Sequence, residues 1–240
     1  MPGTDTGPEG RVVRRVEAGA GEPAVVLEAG MNNGAASWQR VMPLLTAHVR
    51  VAAYDRAGIG GSAPAPGLAT IDRQIGDLAS VITGLGAGPC VLAGHSWGGV
   101  LVQLLAFRRP DLVAGLVLVD PGHEDIEGIL PLPWQWGWRI ARTVFPDELH
   151  ADAPVTMAAV REMRSAATPF PDVPVVILSA ASAFPLPRRF RAGWTELQAG
   201  LAAAAPRVRH VVVEGTGHDI PRNRPDVVAG AILEVTAQVR

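Results

Sequence analysis

The chain has 240 residues, enough for one large α/β domain with a well-buried core, and 48% of them are hydrophobic against 18% charged. The net charge of −2 and the lack of any basic block argue against a nucleic-acid partner, and no apolar run approaches membrane-spanning length. A single cysteine, Cys90, excludes an internal disulfide and a Cys-rich metal site. The stretch from Met1 to Gly10 has no apolar h-region, so no signal peptide is expected and the cytoplasm is the expected location. The chain has no Lys; with the Ala, Gly and Pro richness this reads as compositional bias rather than function.

Residues 1–10 are Gly, Pro, Thr and acidic, and are expected to fray. Arg11 to Glu17 reads as a first edge strand, and Ala24-Val25-Val26-Leu27 as a buried one. That strand ends in a Gly- and Asn-rich loop, Glu28 to Gly34. Trp38, Val41, Leu44 and Leu45 at helical spacing predict a helix from Ser37 to Ala47. Val49 to Tyr54 reads as the next strand, followed by the turn-rich loop Asp55 to Ser62. A helix capped by Thr70 or Asp72 runs through Ile75, Leu78, Ile82 and Leu85.

The next stretch carries the chemistry. An apolar strand, Cys90-Val91-Leu92-Ala93, meets Gly94-His95-Ser96-Trp97-Gly98-Gly99, and helix formers follow from Val100 to Phe107. Five-residue patterns with two glycines arise by chance, but a strand before and a helix after make this a nucleophile elbow, G-x-S-x-G. Side chains at Gly94 and Gly98 would collide with neighbouring strand and helix, and Ser96 is presented beside a helix N-terminus whose free N–H groups favour negative charge.

Leu116 to Val119 is another buried strand, ending at Asp120-Pro121, after which the alternation breaks. Residues 121–172 hold Trp134, Trp136, Trp138 and several prolines, with helical patches near 134–144 and 154–167. Alternation resumes with a strand at 174–178, a helix near 188–204, a strand at Val208–Val213 and a helix near 225–238. Strands alternating with helices predict a mostly parallel sheet with helices on both faces. The 121–172 excursion is then a lid inserted at the carboxyl edge of a single domain spanning 1–240, where open α/β sheets bind ligands.

A serine hydroxyl needs a base within hydrogen-bond reach, and that base needs an acid to hold its tautomer. Of the six histidines (48, 95, 123, 150, 210 and 218), His218 lies in Gly215-Thr216-Gly217-His218-Asp219, a loop just past the last strand and on the same sheet edge as the elbow. The others sit at strand entrances, in the lid region or beside Ser96 in a turn where neighbouring side chains diverge; they read as ordinary solvated or packed residues.

Over nearly its whole length the chain resembles an α/β-hydrolase fold protein. The matching pieces are Val25-Val26-Leu27-Glu28-Ala29-Gly30, Tyr54-Asp55-Arg56-Ala57-Gly58-Ile59-Gly60-Gly61-Ser62, Gly94 to Gly99, Leu116 to Asp120 and Gly215 to His218. The resemblance implies the chain order Ser, acid, His. Many members carry the acid after the strand that follows the lid. Here that loop, Ser179 to Pro187, has no acid, and the next one, Glu196, is inside a predicted helix. Some relatives place the acid one strand earlier, where this chain has Asp120, 24 positions after Ser96. The resemblance therefore assigns Asp120, with Glu124 and Asp125 as alternative acids.

By the same resemblance the backbone N–H groups of Met31 and Trp97 form an oxyanion hole, although Ala29-Gly30-Met31 replaces the frequent His-Gly-x. Asp55-Arg56 reads as structural. Asn32, Trp134 and Trp138 are candidates for the substrate pocket; Asn32 equally suits turn chemistry, and the tryptophans equally suit packing the lid down. The implied activity is hydrolysis of a carboxylic ester of a small molecule with an apolar acyl or alcohol group, through an acyl-enzyme, with no cofactor and no metal. A carbon–carbon bond hydrolase, lactonase, thioesterase, cofactor-free haloperoxidase or hydroxynitrile lyase would use the same triad, and a non-catalytic ligand-binding member would keep the pocket.

Overall fold

The β-branched apolar runs become strands in a computed structural model of the chain. The structure describes residues 2–6, 10–67, 70–131, 133, 157–162, 170–181 and 188–240. Its strands are β1 (Pro2–Thr6), β2 (Val12–Ala18), β3 (Val25–Glu28), β4 (Val51–Tyr54), β5 (Cys90–His95), β6 (Val113–Val119), β7 (Val175–Ala180) and β8 (Val208–Val213). They form one eight-stranded sheet in the order β1-β2-β4-β3-β5-β6-β7-β8. β1 and β2 pair antiparallel, as do β2 and β4, and every pairing from β4 across to β8 is parallel.

The helices are α1 (Met42–Leu45), α2 (Ile71–Gly84), α3 (Trp97–Arg108), α4 (Ile126–Ile129), α5 (Arg188–Ala204), α6 (Ile220–Asn223) and α7 (Pro225–Gln238). Short 3-10 turns occupy Ala35–Trp38 and Pro110–Leu112. Residues 157–162 are helical. Among the described residues no helix is long and apolar enough to cross a membrane.

Parallel strands covered by helices on both faces are buried on both, so they read as continuous apolar runs. The side chains still alternate. Val26, Leu92, Leu116, Leu118 and Ile177 enter a core with Leu78, Ile82, Leu101 and Leu105 of α2 and α3. Val25, Leu27, Val91, Val117, Val119 and Leu178 enter a second core with Trp38, Leu45, Ile232 and Val235, the last two from α7. The two cores are the two faces of one sheet, as the two-residue period of a strand requires.

Three expectations need correction. Residues 2–6 pair in register with β2, Pro2 opposite Val16 and Thr6 opposite Val12, so the strand beginning near Arg11 is second in the sheet and not its edge. The predicted helix from Ser37 to Ala47 is only a 3-10 turn followed by the single-turn α1: Pro43, which has no N–H to donate, fits just inside the start of a helix and not in the middle of a longer one. The strand before the elbow continues through His95, two residues past its apolar run. Helix α2 starts where predicted, and the Thr70 side chain accepts the Arg73 N–H at 3.4 Å.

Cys90 is fully buried at the start of β5, and burial pushes its thiol pKa up to about 12. The folded protein is therefore expected to leave Cys90 unlabelled by a disulfide thiol reagent at about pH 8, and to be labelled once per chain in guanidinium chloride. Rapid labelling of the folded protein would overturn this placement.

Candidate active site

In a parallel sheet every strand ends on the same edge, so the loops after β3, β5, β6 and β8 gather there. Each brings one of the sequence-predicted groups: Met31, Ser96, Asp120 and His218.

Ser96 joins β5 to α3 with φ 53° and ψ −115°, a left-handed φ that a non-glycine residue holds only under constraint. Its N–H donates to Val119 O at 3.0 Å, and its own carbonyl accepts from Gly99 N–H at 3.0 Å and Gly122 N–H at 2.9 Å. The glycines permit the turn. A Cβ on Gly94 would lie 2.4 Å from Gly98 O, and one on Gly98 would lie 2.3 Å from Glu28 O. Trp97 is buried, its indole N–H donating to Gln74 Oε1 at 2.8 Å, so its side chain is anchored in the core.

His218 Nδ1 lies 2.6 Å from Asp120 Oδ2. A carboxylate only accepts, so Nδ1 carries the hydrogen and Nε2 keeps its lone pair. The imidazole is open to solvent (side chain 55% exposed), whereas the Asp120 carboxylate is 4% exposed. The second carboxylate oxygen, Oδ1, accepts Ala180 N–H at 3.0 Å and Trp194 Nε1–H at 2.9 Å. Burial by itself raises the carboxyl pKa; the hydrogen bonds from His218, Ala180 and Trp194 and the His218 charge outweigh it and hold Asp120 below the usual carboxylate value.

Trp194 was invisible as a site residue: it is an apolar position of α5, stacked on Phe190, and only the fold brings it to Asp120. The alternative acids lie elsewhere. Glu124 Oε2 is 3.4 Å from His123 Nδ1, and Asp125 pairs with Arg161 at 3.0 Å. Among the described residues, His123, Glu124 and Asp125 are the one group that brings three metal-ligating side chains together, within 4.8 Å of one another.

Asn32 is exposed and has φ 57°, while Asn33 N–H donates to Gly30 O at 3.1 Å. Residues 30–33 thus form a tight turn with Asn32 at its left-handed position, a place where Asn is tolerated. Trp134 and Trp138 lie outside the described residues. So does His150. His210 sits 2.7 Å from Ser179 Oγ on adjacent strands, and burial lowers its pKa.

His95, beside Ser96, makes a contact that has no signature in the sequence. His95 Nε2 lies 2.9 Å from His218 O, and the two rings are 4.8 Å apart. A carbonyl oxygen only accepts, so His95 Nε2 carries a hydrogen and ties the His218 loop to the elbow.

The chain belongs to the alpha/beta hydrolase family, whose model matches residues 25–231. Its relatives include an uncharacterized protein of Bacillus subtilis, YqjL, 24% identical over 220 residues, which cover 90% of this chain and 85% of that one. Lipase LipV of Mycobacterium tuberculosis is 40% identical over 104 residues, 43% of this chain and 39% of the lipase. Among solved structures, a thermophilic esterase from Thermogutta terrifontis superposes with a TM-score of 0.75 at 22% identity, covering 100% of this chain and 99% of that one. At that identity the superposition establishes the fold.

Burial, and then the neighbouring His218, push the His95 pKa down to about 4, whereas an unfolded histidine titrates near 6.5. Between those values the unfolded chain binds more protons than the folded one, so stability falls as pH is lowered through the window. Relative to His95→Asn, the wild type is expected to lose on the order of 3 kcal/mol more between about pH 7 and pH 4, read from urea unfolding at each pH. Equal losses in the two proteins would contradict a neutral, buried His95.

Proposed function

We propose that this protein is a serine hydrolase that cleaves carboxylic esters of small molecules through Ser96, His218 and Asp120. The observation that carries the reading is the 2.6 Å bond between His218 Nδ1 and a buried Asp120 carboxylate, at the sheet edge that also holds the strained Ser96 elbow. That bond leaves His218 Nε2 as the free base.

Ser96 Oγ attacks the ester carbonyl carbon, and its proton passes to His218 Nε2. The carbonyl π pair moves onto oxygen, where the N–H groups of Met31 and Trp97 stabilise the charge. The tetrahedral intermediate collapses, the C–O bond to the alcohol breaks, and His218 returns the proton to the departing oxygen. Water, deprotonated by His218, then attacks the acyl-enzyme, and the acid leaves as the proton returns to Ser96. Asp120 stays ionised throughout and stabilises the imidazolium.

An apolar acyl or alcohol group suits the surroundings. Met31 packs on the core beside the elbow, and Met157 reaches the same region from the insertion: a Cβ on Gly122 would lie 3.6 Å from both Met157 Cε and Ser96 O. Flexible thioethers adapt to varied apolar shapes. The partial similarity to a lipase favours an oxygen ester among the acyl substrates this chemistry can use.

The test is hydrolysis of p-nitrophenyl esters from acetate to octanoate. Wild type should turn them over. Ser96→Ala should lose at least about 10³-fold in kcat, and Asp120→Asn about 10²- to 10⁴-fold, because the amide no longer holds the imidazole tautomer. Activity that survives Ser96→Ala would refute the reading, and activity untouched in Asp120→Asn would remove Asp120 from it.

A further inference from the structure

Arg56 is a fully buried cation, with its side chain only 2% exposed, at the end of β4. Burying a guanidinium is costly, the more so here because Nε has no hydrogen-bond partner, and a role in the fold alone is met at less cost by apolar packing. Its contacts are specific. Nη1 pairs with the buried Glu28 carboxylate and donates to Ala29 O at 2.7 Å; Nη2 donates to Gly30 O at 2.6 Å and reaches Asn33 O at 3.4 Å. Glu28 is held in turn by the Tyr54 hydroxyl. The fork of one side chain thus grips the consecutive carbonyls of the loop after β3.

That loop touches the nucleophile. A Cβ on Gly30 would lie 3.5 Å from Ser96 Cβ and 3.2 Å from His95 Nδ1. The elbow packs back on it, because a Cβ on Gly98 would lie 2.6 Å from Ala29 O. The Gly30 carbonyl and the Met31 N–H belong to one planar trans peptide, and in such a unit they point in opposite directions. Whatever holds the carbonyl also aims the N–H.

We propose that Arg56 is a positioning residue of the oxyanion site: by holding Ala29 O and Gly30 O on one side of the loop, it turns the Met31 N–H to the other side, toward the carbonyl oxygen of an ester on Ser96. The assignment rests on the ester-hydrolase reading above. Glu28 fixes the guanidinium from behind. A guanidinium suits this task because its donors lie in one rigid plane on separate nitrogens; an ammonium's three donors radiate from a single nitrogen. Gly30 O also accepts Asn33 N–H, so removing Arg56 loosens the peptide without freeing it entirely. The loss should therefore fall short of the 10²- to 10³-fold, or about 3–4 kcal/mol, seen when an oxyanion donor is deleted outright.

The experiment compares wild type, Arg56→Lys, Arg56→Met and the double variant Glu28→Gln/Arg56→Met, which removes both buried charges together. Each preparation is normalised to the fraction of chains that a fluorophosphonate labels at completion. Two quantities are read: kcat and KM for the best p-nitrophenyl ester, and inhibition by the trifluoromethyl ketone of the same acyl group, whose adduct carries the oxyanion. Both Met variants should lose about 10- to 100-fold in kcat and a similar factor in ketone affinity, with KM within about threefold; Arg56→Lys should recover part of each. If Arg56→Met does not fold, the double variant and Arg56→Lys carry the test. A role limited to the fold would lower the labelled fraction or the melting temperature while leaving kcat and ketone affinity per labelled site unchanged, and that result would overturn the assignment. A wild type that hydrolyses no ester, or a Ser96→Ala that still does, would instead refute the hydrolase reading itself.

Discussion

The left-handed backbone of Ser96 is the constraint to which the rest of the site answers. A non-glycine residue at φ 53° is disfavoured on its own and persists because its surroundings leave no alternative. Here the surroundings are backbone. Both hydrogen-bonding groups of Ser96 are used, by Val119 on the neighbouring strand and by Gly99 and Gly122, so the turn is pinned from two directions. Gly98 allows α3 to sit directly on the carbonyls of Glu28 and Ala29. Ser96 is therefore rigid with respect to β6, whose next residue is Asp120, and to the loop after β3, which contains Met31. Preorganisation of this kind is what the proposed acyl transfer needs, since reacting groups must not have to find one another in each turnover.

Two buried carboxylates flank this turn, and their environments set them apart. Asp120 accepts hydrogen bonds from a backbone N–H, an indole and an imidazole, and the sum lowers its pKa in spite of burial. Glu28 is also fully buried and has Arg56 and Tyr54 as partners, yet burial dominates and its pKa is raised. The difference is physical. Asp120 faces an exposed imidazole, and its hydrogen bonds favour the carboxylate form. Glu28 lies wholly inside protein, where its ion pair with Arg56 and the Tyr54 hydroxyl only partly offset the burial. The first suits an electrostatic partner of a base, and the second suits a fixed mount for a guanidinium.

Periodicity made the middle of the sheet and the long helices legible before the fold was known, because strands buried on both faces and capped helices leave strong local patterns. Glycine spacing singled out Ser96, the place after the last strand singled out His218, and the family resemblance pointed to Asp120 because the usual acid loop, Ser179 to Pro187, has none; the fold brings Asp120 and His218 within hydrogen-bond distance. What stayed hidden is non-local. Pro2–Thr6 has a turn-like composition and becomes a strand only by pairing with β2. Trp194 reaches Asp120 across 74 positions of sequence, and His95 reaches His218 across 123. Arg56 read as structural because its partners, the carbonyls of Ala29 and Gly30, carry no side-chain signature at all.

The position of Asp120 at the end of β6 has a structural consequence beyond chain order. Asp120 lies between β5, which leads into Ser96, and β7, whose Ala180 N–H fills one carboxylate oxygen. Its own φ of 42° turns the chain out of the sheet toward Pro121, a conformation Asp tolerates better than most residues. With Oδ1 held by β7 and α5, the carboxylate cannot rotate, and only Oδ2 is left for His218. The carboxylate thus does not depend on His218 for its own orientation. The His95 hydrogen bond to the His218 carbonyl restrains the other end of the same residue. His218 and Asp120 are thus each held by separate contacts, with the elbow and with the sheet and α5, besides the 2.6 Å bond between them.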